Sequence, residues 1–113
     1  MIDFTNKKAV ITGASKGIGR SIAFDLAKYG CDLFLLSRNK NDLNNVKNEI
    51  LNKFNINIKC YAIDVSNYAS VKKTFDDIIK KYDKVDILIN NAGITKDNIL
   101  ARMSIDEWDT VIN

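Results

Sequence analysis

Four short apolar runs alternate along the chain with longer stretches in which apolar residues recur every three or four positions. The runs Ala9–Thr12, Asp32–Ser37, Ile58–Ile63 and Val85–Asn90 predict β-strands. Their middles, Leu33-Phe34-Leu35-Leu36 and Asp86-Ile87-Leu88-Ile89, are close to continuously apolar rather than alternating, the pattern of parallel strands covered on both faces. Helical spacing joins Ile18, Ile22, Leu26 and Tyr29, then Leu43, Val46, Ile50 and Phe54, then Val71, Phe75, Ile78, Ile79 and Tyr82. Ser66 is the expected N-cap of the third helix, over 67–82. Strands and helices alternating at these lengths predict an α/β fold with a doubly wound parallel sheet. The expected strand order is 3-2-1-4, with a ligand crevice at the switch point between strands 1 and 4.

The first strand runs into Thr12-Gly13-Ala14-Ser15-Lys16-Gly17-Ile18-Gly19, with glycines spaced G-x-x-x-G-x-G. Gly13 can take a positive φ as the chain leaves the strand. Gly17 leaves room for a ligand to approach the backbone, and Gly19 lets the helix sit close to the sheet. Free N–H groups at the helix start, at its positive dipole end, suit a pyrophosphate. Taken alone, the same spacing also fits an ordinary glycine-rich turn.

Three further positions lie at strand ends. The second strand ends in Ser37 and Arg38, where dinucleotide sites often carry an acid for the adenosine ribose hydroxyls. Arg38, with Lys16 from the glycine turn, suits a 2′-phosphate instead, and this predicts NADP(H) over NAD(H). Read separately, both are solvated surface cations. Asp64-Val65 follows the third strand, where an acid can bind the adenine amino group and an apolar neighbour can wall the ring; alone, Asp64 reads as a turn acid. Asn90-Asn91-Ala92-Gly93 closes the fourth strand. Its two amides can tie neighbouring strands together, and Ala92 and Gly93 leave space for a flat ligand, although Asn and Gly are also plain turn formers.

Composition narrows the classes. The chain has 113 residues, 46% of them apolar and 27% charged, with no proline and no linker-like segment, so one domain at most is expected. A net charge of +3 points to neither nucleic acid nor membrane. Cys31 and Cys60 stand far apart and there is no histidine, which argues against a metal site and for two reduced, mostly buried thiols. The first residues are too short and polar for a signal peptide, and no run approaches a membrane span. A cytoplasmic location is expected.

Thr12–Gly19, Asp64-Val65 and Asn90–Gly93, in this order and spacing, resemble the short-chain dehydrogenase/reductase family, a resemblance covering essentially the whole chain. It implies a Rossmann-type sheet. It also implies that Gly13, Ser15, Lys16 and Ile18 line the pyrophosphate and ribose of NADP(H), together with the Gly17 and Gly19 cradle. Ser37 and Arg38 would meet the 2′-phosphate, Asp64 and Val65 the adenine, and Asn91, Ala92 and Gly93 the ribose and nicotinamide side. The run Gly93–Met103 with Glu107-Trp108 is similar to the family's 3-oxoacyl-[acyl-carrier-protein] reductases of type II fatty acid synthesis. That similarity implies reduction of an acyl-carrier-protein-bound ketone, and a homo-oligomer at full length. Another ketone substrate, and a non-catalytic dinucleotide-binding fragment, are the alternatives.

The family's chemistry sits in a second half with a Tyr-x-x-x-Lys motif, in which a cation lowers the pKa of the phenol. This sequence is therefore expected to be the N-terminal, cofactor-binding part of a single domain, without catalytic residues. Tyr68-Ala69-Ser70-Val71-Lys72 matches the motif literally. It opens the third helix on the adenine side, so Tyr68 and Lys72 read as helix-surface residues. Asn113 is likewise not the family's asparagine, which would fall just beyond it. An isolated piece ending there would leave strand 4 as an apolar edge, and poor solubility is expected of it.

Overall fold

The computed structural model describes residues 2–91. The elements run β1 (Lys8–Thr12), α1 (Gly17–Lys28), β2 (Asp32–Ser37), α2 (Lys40–Leu51), β3 (Ile58–Ala62), α3 (Tyr68–Tyr82) and β4 (Ile87–Asn90). One four-stranded sheet has the order β3-β2-β1-β4. All three pairings are parallel, with Val10 opposite Phe34 and Leu88, and Leu35 opposite Cys60. This is the expected doubly wound arrangement.

The continuous apolar strands are explained by two cores. Successive side chains on a strand point to opposite faces. Ala9, Ile11, Leu33, Leu35, Ile87 and Ile89 therefore pack on one side, against Ala23, Leu26 and Ala27 of α1 and Leu43, Val46 and Ile50 of α2. Val10, Phe34, Leu36 and Leu88 face the other side, against Val71, Phe75 and Ile78 of α3. A polar residue in the middle of these strands would be buried on either face.

Helix ends differ from expectation in two places. Asn67, not Ser66, caps α3: its side chain accepts from the Ser70 N–H at 3.0 Å. The Ser66 hydroxyl instead donates to Asp64 at 2.6 Å, so it is no longer available to the helix. α2 stops at Leu51, and Phe54 reaches the core from the loop that follows. Asn39 caps α2 by accepting from the Asp42 N–H. Among the described residues, no helix is long and apolar enough to cross a membrane.

Cys31 is buried and Cys60 is half-buried, and both are free thiols. Burial, reinforced by the Asp32 and Asp86 carboxylates, pushes the Cys31 thiol up to about 12. No group of three or more metal-ligating side chains occurs among the described residues.

Candidate dinucleotide site

Parallel strands in register end together, so the loops after β1, β2, β3 and β4 gather along one edge of the sheet. The β1–α1 turn is the centre of this edge. Gly13 and Gly17 adopt φ values of +64° and +54°, a region that side chains with a Cβ enter at a cost. Gly17 faces open space, with nothing within 4 Å of where a Cβ would stand. Gly19 is the opposite case. A Cβ there would lie 2.2 Å from the Gly13 carbonyl oxygen and 2.7 Å from the Asn91 amide nitrogen. Gly19 therefore sets how closely α1 approaches β1 and the end of β4.

The start of α1 has no side-chain cap, since Lys16 occupies the N-cap position and makes no capping hydrogen bond. Its first turn contains no acidic residue. Unpaired N–H groups at a dipole's positive end, beside the space over Gly17, fit a phosphate group. Ile18 is exposed on the same turn.

Thr12, wholly buried at the end of β1, connects this turn to β4. Its hydroxyl donates to the Asn90 side-chain oxygen at 2.9 Å and accepts from the Asn91 N–H at 2.8 Å. The Asn91 amide donates to the Gly13 carbonyl at 3.3 Å. The two asparagines thus tie neighbouring strands together, as their position suggests. Thr12 opens the Thr12–Gly19 run, but the sequence assigns its side chain no role, although a hydroxyl residue at the buried end of an apolar strand is a usable signal. Ala92, Gly93 and the 94–108 run lie outside the described residues.

At the end of β2, the Ser37 and Ser15 hydroxyls are 2.9 Å apart and hydrogen-bonded, joining the glycine turn to the second strand. Arg38 extends to Asp64 after β3, with 3.0 Å between the guanidinium and the carboxylate. That carboxylate also accepts from the Ser66 hydroxyl and N–H. Hydrogen bonds from Ser66 and then from Arg38 hold the Asp64 carboxyl down to about 2. Val65 is half-buried against the α3-side core. Lys16 turns the other way, its ammonium 4.0 Å from Asp42 in the first turn of α2. The two cations read together in the sequence are thus each paired with a different carboxylate. Ser66, expected as a helix cap, binds Asp64 instead, and Asp42 is not a candidate in the sequence; both pairings depend on how neighbouring segments are brought together in the fold.

Tyr68 is exposed at the start of α3 and Lys72 pairs with Asp76 one turn on, which makes both helix-surface residues.

A family model described as short chain dehydrogenase matches residues 7–113. The chain is 42% identical over 111 residues to 3-oxoacyl-[acyl-carrier-protein] reductase FabG of Staphylococcus epidermidis, covering 96% of this chain and 44% of that protein. It is 38% identical over 111 residues to the reductase of the same name from Salmonella typhimurium, covering 98% and 44%. The chain thus spans less than half the length of these relatives. Among solved structures, L-sorbose reductase from Gluconobacter frateurii, complexed with NADPH and L-sorbose, superposes with a TM-score of 0.75 at 30% identity, covering 95% of this chain and 41% of that one. With its β3-β2-β1-β4 sheet and glycine turn, this chain belongs to the short-chain dehydrogenase family.

Proposed function

We propose that residues 1–113 form the N-terminal NADP(H)-binding part of a single Rossmann-type domain in an NADPH-dependent reductase. The observation that carries this reading is the uncapped start of α1 beside the open space over Gly17, directly next to the hydroxyls of Ser15 and Ser37. In this reading Gly13, Ser15, Lys16, Gly17, Ile18 and Gly19 hold the pyrophosphate and its ribose. Ser37 and Arg38 hold the 2′-phosphate, and Asp64 with Val65 borders the adenine. Asn91, Ala92 and Gly93 border the nicotinamide side. When bound, the cofactor supplies a hydride. No residue of this chain is assigned the proton transfer.

The substrate we propose is a 3-oxoacyl thioester on an acyl carrier protein, reduced to the 3-hydroxyacyl form in fatty acid biosynthesis by a homo-oligomeric enzyme. It is supported by the 42% identity to a 3-oxoacyl-[acyl-carrier-protein] reductase. Another ketone is the second reading, favoured by the likeness to L-sorbose reductase. The two are separated by following NADPH absorbance with the intact protein and either an acetoacetyl thioester or a free ketose. Turnover of the thioester alone supports the first reading; turnover of the ketose alone replaces it with the second.

A further inference from the structure

We propose that Asp64 is a positioning residue for Arg38, and that by holding this guanidinium at the end of β2 it sets how strongly the site prefers a 2′-phosphorylated dinucleotide to the unphosphorylated one. The inference rests on the NADP(H) reading above.

Arg38 and Asp64 come from loops after adjacent strands, and the Ile63 N–H donating to the Ser37 carbonyl at 2.9 Å fixes those loops to each other. One carboxylate oxygen of Asp64 receives three donors: the Ser66 N–H at 3.0 Å, the Ser66 hydroxyl at 2.6 Å and the Arg38 guanidinium at 3.0 Å. The carboxylate is therefore anchored within its own turn, and Arg38 is held by an anchor that does not move with it. A guanidinium carries five N–H donors in a rigid fork. Asp64 engages one terminal nitrogen and leaves the remaining donors for a second anion.

Two effects of the carboxylate oppose each other. Its charge repels an incoming phosphate, but the Arg38 and Asp64 side chains are 75% and 50% exposed, so water and salt screen that repulsion. Its hold on this long, flexible side chain is weakened by the same water and salt, but it acts through a direct contact at 3.0 Å and removes ordering that the ligand would otherwise have to impose. Holding outweighs repulsion. Any contact of Asp64 with adenine is common to both dinucleotides and cancels in their ratio.

The test is equilibrium titration with NADPH and with NADH of the intact wild-type protein, Asp64→Asn, Arg38→Ala and the double variant. Asp64→Asn is expected to lower the NADPH preference by about two- to fivefold, the range an exposed ion pair supports. In the Arg38→Ala background the same change is expected to leave the ratio where Arg38→Ala put it. The inference is overturned if Asp64→Asn leaves the ratio unchanged, raises it, or lowers it equally in both backgrounds. An intact wild-type protein with no NADPH preference overturns the cofactor reading itself, and this inference with it.

Discussion

The hydroxyls of Ser15 and Ser37 are hydrogen-bonded at 2.9 Å, although one residue lies in the turn after β1 and the other ends β2. With Ala14 N–H donating to the Leu36 carbonyl at 3.3 Å, this contact holds the glycine turn over the second strand. Ser37 is buried, so its loss has a structural consequence beside the binding role proposed for it. Ser37→Ala is expected to cost about 0.5–1.5 kcal/mol in a denaturant melt, as for an ordinary buried hydrogen bond. NADPH affinity is expected to fall more than NADH affinity.

Gly17 and Gly19 separate binding from folding. Gly19→Ala places a methyl group 2.2 Å from a backbone oxygen, so α1 must move away from β1. Overpacking of this kind costs about 1–3 kcal/mol, and it is expected to show as a lowered melting temperature. Gly17→Ala meets no atom and bears only the strain of φ +54°, about 1–2 kcal/mol. Its methyl group stands where the ligand would approach, so its larger effect is expected on NADPH titration.

Thr12 offers a test of the link to β4. Thr12→Val keeps the shape but leaves the Asn90 side-chain oxygen and the Asn91 N–H without the hydroxyl they share. The expected loss is about 1–3 kcal/mol, and Thr12→Ser is expected to recover most of it. Both are read from chemical denaturation midpoints.

The two thiols are expected to react in order. A thiol reagent should modify half-buried Cys60 first and reach Cys31 only on unfolding. The Cys31 pKa is raised from 9.0 to about 12, so the neutral thiol is the form the fold favours. The corresponding stability is fully present below about 9 and is lost as pH rises towards about 12, because the unfolded chain ionises first. Melts across this window should show the decline, and Cys31→Ala should flatten it.

Much of the fold was legible because two-sided burial leaves a plain trace. Leu33 through Leu36 have no polar break, and that alone separates a covered parallel strand from a half-exposed one. The glycine turn was legible for a similar reason, since φ values of +64° and +54° restrict which residues fit. Local competition was harder to read. Asp64-Val65-Ser66-Asn67 offers two capping residues, and the Asp64 carboxylate decides between them by engaging Ser66. Pairings across loops, Arg38 with Asp64 and Lys16 with Asp42, depend on strand register and side-chain reach, which no single stretch of sequence specifies.

In the proposed site the β1–α1 turn and the ends of β2 and β3 hold one phosphorylated dinucleotide. Backbone amide shifts of the labelled intact protein during NADPH titration are the decisive measurement. Saturable shifts concentrated at Ser15–Gly19, Ser37-Arg38 and Asp64-Val65 are expected, with the Ser37-Arg38 shifts weaker for NADH. Shifts confined to the opposite sheet edge, around Lys8, Asp32 and Asn57, or no saturable shift at all, would contradict the proposed site.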